Sequence, residues 1–248
     1  MTVVLVHGVP ETAAIWDPLV AAWGRDDVIS LSPPGFGAPV PDGFEATSDG
    51  YADWLVGELE QLGGPVDVVG HDWGGGHAMR AATARPDLIR RLVTDIAGTA
   101  DPEYVWHDMA QVWQTPGDGE AMVEAAAGMP VGDRVAMLVA AGMTDAGARS
   151  CAEANGTEMG ACILSLYRSA VQPHMTQWAD RFAALDDGPE TLVVIADGDH
   201  YTGGADMARR VAHRWGAHVA ELDGLGHWWM MQDPGRAAAV LDAFLAEP

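Results

Sequence analysis

The segment Gly70-His71-Asp72-Trp73-Gly74-Gly75 puts a carboxylate where an apolar run, Pro65 to Val69, gives way to small residues and a helix-like stretch. A strand that turns sharply into a helix between glycines holds its central side chain in a strained, exposed pose beside helix N-terminal amides. A serine at such a point forms acyl esters. A carboxylate instead displaces a leaving group from a saturated carbon and becomes an alkyl ester. Epoxides and alkyl halides are the substrates this chemistry implies. The alternative is that Asp72 only caps the following helix, a role aspartate often fills.

An alkyl ester on the chain must be hydrolysed if the reaction is to turn over. His227, in Gly226-His227-Trp228-Trp229 just after the last expected strand, is the candidate base for activating water. Of the nine histidines, His213 and His218 read as solvent-facing and His7 as bracing a turn. A buried carboxylate must hold the imidazole in one tautomer. Asp199, in the turn Ala196-Asp197-Gly198-Asp199, fits best, and Asp95 at the end of the preceding strand is the runner-up. Near the N-terminus, His7-Gly8-Val9-Pro10 follows the first strand, so the Val9 and Trp73 amides are expected to face a developing oxyanion.

The elements that must position these groups alternate. Val3 to Val6, Val28 to Leu31, Val66 to Val69, Leu92 to Ile96, Leu192 to Ala196 and His218 to Leu222 read as strands. Thr12 to Trp23, Gly50 to Leu62, Gly74 to Arg85, Ala205 to Trp215 and Pro234 to Leu245 carry helical periodicity between them. The pattern is α/β, with a mostly parallel sheet of about six strands covered on both faces. The interval 101–186 lacks strands and holds seven of the twelve methionines. It reads as an inserted helical cap, or lid, on a core made of 1–100 and 187–248. Methionine's adaptable thioether suits such a lid, or simply its core.

The 248 residues carry a formal charge of −23, from 36 acidic and 13 basic side chains, and no lysine occurs. That excludes lysine Schiff-base chemistry and a Walker-type phosphate loop. An acidic surface disfavours nucleic acid and anionic membranes as partners, leaving a small, largely apolar neutral substrate. Cys151 and Cys162 read as free thiols without metal-ligand spacing, so neither a metal nor an organic cofactor is expected. No signal-like or membrane-length apolar segment is seen, which leads to the expectation of a cytoplasmic protein, monomer or homodimer.

Together these motifs resemble the α/β-hydrolase fold superfamily, in particular its epoxide hydrolase and haloalkane dehalogenase branch. The family's HGxPE stretch is matched by His7 to Glu11, with Trp16 at a later family tryptophan; its GHDWGG elbow by Gly70 to Gly75; and its GHW segment by Gly226 to Trp228. The 28-residue interval from Asp199 to His227 is similar to that of epoxide hydrolases. The resemblance implies Asp72 as nucleophile, His227 as base and Asp199 as acid. It also implies Tyr167, in Leu166-Tyr167-Arg168-Ser169, as a donor to the epoxide oxygen. The second family tyrosine has no clear counterpart, and His107 stands near its place. The first family strand matched is the third, so the family's first two strands are expected to be missing at one sheet edge. Trp16, Phe36, Trp113 and Trp228 are expected along an apolar pocket. Epoxide opening to a diol is the favoured reading. Haloalkane or haloacid dehalogenation through the same ester, and a ligand-binding protein with little turnover, are the alternatives.

Overall fold

The computed structural model describes residues 1–246. Six strands form one sheet: β1 (Val3–Val6), β2 (Val28–Leu31), β3 (Val66–Gly70), β4 (Ile89–Thr94), β5 (Glu190–Ala196) and β6 (His218–Leu222), in the order β2-β1-β3-β4-β5-β6. Every neighbouring pair is parallel. The central strands β1 and β3 are buried along their whole length, as their mostly apolar runs require when helices cover both faces, and the one charged residue among them, Asp67, is paired with Arg90. Three strands have the expected limits, but β4 begins three residues earlier than its apolar core suggested. Arg90 and Arg91 lie within it because carboxylates on neighbouring strands receive them: Arg90 Nε donates to Asp67 at 2.8 Å and Arg91 Nε to Glu190 at 2.8 Å. Asp95 and Ile96 therefore lie just past its end.

Crossovers are made by α1 (Asp17–Trp23), α2 (Ser48–Gln61) and α3 (Trp73–Ala84). The single helix expected from Thr12 begins as a 3-10 turn over Ala13–Trp16, and α1 starts afresh with Pro18 in its first turn, where a missing N–H costs nothing. Between β4 and β5 the chain is wholly helical: α4 (Asp108–Gln114), α5 (Asp118–Gly128), α6 (Val131–Ala140), α7 (Asp145–Ala154), α8 (Thr157–Ser169) and α9 (His174–Ala183). The core closes with α10 (Gly204–Trp215), α11 (Trp229–Gln232) and α12 (Pro234–Leu245). No helix among the described residues is long and apolar enough to cross a membrane.

Glycines set the β3 to α3 junction by close approach. A Cβ on Gly70 would lie 2.5 Å from the Gly75 backbone, and one on Gly74 would lie 2.1 Å from the Val6 carbonyl oxygen. The elbow can thus press against β1 only with these residue types, which carries Asp72 to the carboxyl end of the sheet.

Candidate active site

Asp72 is the one described non-glycine residue with positive φ, at 49°. A side chain held there stores about 1–3 kcal/mol of backbone strain. Its carboxylate does not cap α3; Oδ1 instead accepts the Val9 amide at 3.0 Å. The capping alternative is therefore set aside. Gly8 must lack a side chain for this contact, since a Cβ there would fall 2.2 Å from Asp72 Oδ1. Trp73 is the first residue of α3 and follows Asp72 directly in the chain. Burial raises the Asp72 pKa, and the Glu11 charge adds to this, against opposition from His227, His71 and the Val9 amide. The group is a desolvated carboxylate, with part of its hydration replaced by a backbone donor.

His227 is buried, and its Nδ1 donates to Asp199 Oδ2 at 2.8 Å. That bond fixes the tautomer and leaves Nε2 as the basic nitrogen. Asp199 is itself held by the Tyr201 amide at 2.8 Å. Burial lowers the His227 pKa, but the charge and hydrogen bond of Asp199 outweigh it and the net shift is upward. Asp199, and not Asp95, is the carboxylate on this imidazole.

Asp95 has another place. Its Oδ2 receives His71 Nδ1 at 2.5 Å and Trp229 Nε1 at 2.7 Å, while Oδ1 receives the Asp72 amide at 2.9 Å. His71 Nε2 reaches Glu11 Oε1 at 3.2 Å. Glu11 in turn accepts the Gly8 amide at 2.8 Å and Trp228 Nε1 at 2.5 Å. With a carboxylate on each nitrogen, His71 carries both protons. Burial lowers its pKa, yet Asp95 and Glu11 together drive it well above the usual value. Glu11 falls to about 2; burial opposes this, and the His71 charge is the main cause. Two buried carboxylates bridged by an imidazolium thus tie the elbow backbone to the Gly8-Val9 loop. Glu11, His71 and His227 bring potential metal ligands within 4.8 Å of one another. With both nitrogens engaged, however, His71 has no lone pair to offer a cation.

Asp72 opens into a narrow cleft of about 10 Å³, room for about one water, lined also by Trp73, Tyr104, Trp106, His107, Tyr167, Met175 and Tyr201. Tyr167 is buried, and burial and the Asp72 charge keep its hydroxyl protonated far beyond the usual range. Its ring packs edge-on against that of Trp73, with centroids 5.2 Å apart. Held protonated, the phenol has a hydrogen to donate to a ligand in the cleft. His107 caps α4: its Nδ1 accepts the Ala110 amide at 3.2 Å, which puts the proton of the neutral ring on Nε2. Burial, then the His227 charge, lowers its pKa and keeps it neutral.

The four other aromatic residues expected along the pocket stand behind it. Trp16 packs edge-on against His71 and Trp229 in the core, and Phe36 lies against Tyr51. Trp113 backs Tyr167 at 4.7 Å, and Trp228 backs His227 at 5.0 Å. None of the four lines the cleft. Large rings beside polar groups serve here as buttresses, a use that residue type alone does not distinguish from a pocket wall. Sequence reasoning missed Tyr104, Trp106 and Tyr201. Their signal was adjacency: two lie three residues and one residue before His107, and one sits two residues after Asp199.

The comparisons fit this architecture. Among solved structures, the Cfl2 wild-type protein of Burkholderia cenocepacia matches with a TM-score of 0.80 at 19% identity, covering 98% of this chain and 87% of that one. Haloalkane dehalogenase DbeA of Bradyrhizobium elkani matches at 0.73 and 19%, covering 99% and 89%. At such identity the likeness shows the fold alone. Among curated relatives, the (E)-2-((N-methylformamido)methylene)succinate hydrolase of Acinetobacter baylyi is 33% identical over 91 residues, which are 36% of this chain and 35% of that protein. The Karrikin insensitive 2 receptor CA of Petunia hybrida is 34% identical over 110 residues, 42% and 40% of the two chains. The chain thus spans a little over a third of the length of the curated relatives it matches. The family model described as "Alpha/beta hydrolase family" matches residues 3–240, nearly the whole length, and on that match the chain belongs to the alpha/beta hydrolase family.

Proposed function

We propose that this hydrolase opens epoxides to diols through an alkyl ester on Asp72. The free carboxylate oxygen of Asp72 attacks an epoxide carbon, the carbon–oxygen bond breaks, and Tyr167, aided by His107 Nε2–H, gives the departing oxygen its proton. His227 Nε2 then takes a proton from water, and the resulting hydroxide adds to the ester carbonyl. Charge develops on Oδ1, already seated on the Val9 amide, with the Trp73 amide as the second donor. Collapse frees the diol alkoxide, which takes the proton from His227, and the proton that the added hydroxide leaves on the Asp72 carboxyl returns to the Tyr167 phenolate, restoring both groups. The helices α4 to α9 act as the cap that brings Tyr167 and His107 over the nucleophile and keeps bulk water out.

The observation that carries this reading is the proton inventory of the cleft. A halide leaving group is served by N–H donors, and the Trp73 indole, which packs edge-on against Tyr167 with ring centroids 5.2 Å apart, is the obvious one. Two further proton donors, Tyr167 and neutral His107, line the cleft with Asp72, which suits an oxygen leaving group that must be protonated. Purified protein is expected to convert styrene oxide to its diol and to release no bromide from bromoalkanes. Tyr167→Phe should lower epoxide kcat/KM by about 10²-fold. Turnover of bromoalkanes alone would make the chain a dehalogenase, and binding without turnover of either would make it a receptor.

The pH dependence has a definite sign. Hydrolysis needs neutral His227, whose pKa stands above 6.5 because Asp199 overcomes the effect of burial. Where hydrolysis limits, kcat should therefore fall as pH drops through a value above 6.5. Asp199→Asn removes the opposing charge, so burial dominates and the acid limb moves to lower pH, with kcat reduced throughout. A limb that stays in place in Asp199→Asn would remove His227 as the base.

A further inference from the structure

The direction of the Asp199 carboxylate depends on Tyr201. Asp199 Oδ1 accepts the Tyr201 amide at 2.8 Å, while Oδ2 accepts His227 Nδ1 at 2.8 Å. The first half of the turn is held by nearby backbone, with the Gly198 amide on the Leu225 carbonyl at 2.8 Å and the Asp199 amide on the Ala196 carbonyl at 3.1 Å. The second half is held by a side chain: Tyr104, in the segment between β4 and α4, donates its hydroxyl to the Tyr201 carbonyl at 2.8 Å. That phenol stands on an anchored base. The Tyr104 amide donates to the Asp101 carbonyl at 3.0 Å, and the Asp101 carboxylate receives Arg210 of α10 at 2.8 Å. Two glycines let the turn seat against the segment: a Cβ on Gly98 would lie 2.1 Å from the Thr202 carbonyl oxygen, and one on Gly203, at φ 88°, would lie 3.0 Å from Tyr104 Cδ2. The Tyr201 ring packs at a steep angle against His227, with centroids 5.0 Å apart, and against His107, 5.2 Å apart. Tyr104 lines the cleft with Asp72, yet its single hydroxyl proton is committed to the Tyr201 carbonyl. Burial, then the charges of Asp72 and Asp199, keep that proton in place.

Resting on the epoxide reading above, we propose that Tyr104 is a positioning residue for ester hydrolysis: its hydroxyl fixes the Tyr201 carbonyl and, through Tyr201, keeps the Asp199 carboxylate directed at His227. The links run from Tyr104 to Tyr201 to Asp199 to His227 and end on the base. Alkylation of Asp72 uses none of them. Without the hydroxyl, the Tyr201 backbone gains freedom, and Asp199 holds the imidazole less firmly. His227 is also faced by His71, whose ring centroid is 4.5 Å away, and by Asp72, Glu11 and His107. Phenylalanine in place of Tyr104 alters no charge among these groups, so its effect on His227 must pass through the turn.

The test compares Tyr104→Phe with wild type on styrene oxide, following the ester by rapid mixing and intact-mass detection. Ester formation should change less than about threefold while ester hydrolysis and kcat fall about tenfold, the scale expected when a catalytic group is displaced but not removed. The acid limb of kcat should move down by about half a pH unit, in the same direction as in Asp199→Asn and by less. Glu103→Gln, which takes an exposed ion pair with Arg210 from the same segment, controls for general loosening and should leave the limb in place. Unchanged hydrolysis with an unmoved limb in Tyr104→Phe overturns the proposal. Slowed ester formation with unchanged hydrolysis also overturns it, since Tyr104 would then be a donor to the epoxide, and an equal shift in Glu103→Gln would assign the effect to the segment and not to the hydroxyl. A substrate-free arm titrates the His227 imidazole by NMR in labelled protein, with the resonance assigned by its loss in His227→Gln. A downward shift in Tyr104→Phe, found while wild type turns over no epoxide, would keep Tyr104 in its place and sink the epoxide reading. Epoxide turnover with an unmoved His227 titration would do the reverse.

Discussion

His227→Gln is expected to stop the reaction halfway, with the chain accumulating the mass of one hydroxyalkyl group on Asp72 while steady-state kcat falls by about 10⁴-fold or more. The two half-reactions use different groups, which is why the block is selective. Alkylation needs the Asp72 carboxylate, desolvated and already seated against the Val9 amide, and protons from the cap side of the cleft. None of these is supplied by His227. Hydrolysis needs a neutral imidazole beside the ester, and glutamine at this position retains bulk but cannot take a proton from water. Loss of one member of a concerted catalytic group commonly costs four to six orders of magnitude, so the ester should outlast the time needed for intact-mass measurement. Styrene oxide given to His227→Gln should add one substrate mass per chain, localised by proteolysis to the peptide containing Asp72. Asp72→Ala in the same background should add none. An unmodified His227→Gln chain that still forms diol at near the wild-type rate would show that water attacks the epoxide directly, and the ester would leave the mechanism. Mass added on Cys151 or Cys162 in place of Asp72 would do the same.

Much of this arrangement could be read from residue order because its causes are local. The strand limits of β1 and β2 follow from short, mostly apolar runs and those of β6 from a short β-rich run between Gly216 and Gly224, and the elbow follows from glycines whose absent side chains admit β1 and α3 to contact. Asp72, Asp199 and His227 each sit just past a strand end, so a parallel sheet delivers all three to one edge. What stayed hidden depended on partners distant in sequence. The early start of β4 relies on Asp67 and Glu190 receiving its arginines. The choice between Asp199 and Asp95 on His227 turns on a competing histidine, because His71 occupies Asp95 first. Glu11 looked like one letter of a motif, yet it accepts donors from Gly8, His71 and Trp228, the last 217 positions away. Trp16 and Trp228 were indistinguishable from pocket walls until the packing around His71 and His227 was known.

That hidden network gives the second large effect. Asp95→Asn should lower the melting temperature by about 6–20 °C and at the same time move the acid limb of kcat upward in pH. Three donors converge on the Asp95 carboxylate: the Asp72 amide, the Trp229 indole and His71. An amide in its place turns one acceptor into a donor and leaves the buried imidazolium with one carboxylate instead of two. Breaking a buried charge pair from one side costs about 3–5 kcal/mol, which for a chain of this size gives the stated shift in melting temperature. The loss has its own pH signature. Below the unfolded imidazole value of about 6.5 both folded and unfolded His71 are protonated, and the raised folded pKa gives its full contribution; that contribution disappears as pH rises through the folded value. Glu11 contributes in the opposite direction, fully above about 4.5 in the unfolded chain and not at all once pH falls through its folded value of about 2. The wild-type advantage over Asp95→Asn should therefore be greatest between these limits. The catalytic consequence separates positioning from mere stability. The His71 ring lies 4.5 Å from that of His227, and its positive charge holds the His227 pKa down. Without Asp95, burial drives His71 toward neutrality and His227 is released to titrate higher, the reverse of the shift expected for Asp199→Asn. An Asp95→Asn enzyme measured well below its lowered melting temperature, with kcat reduced but its acid limb unmoved, would reduce Asp95 to a structural brace and disconnect the imidazolium from the base it faces.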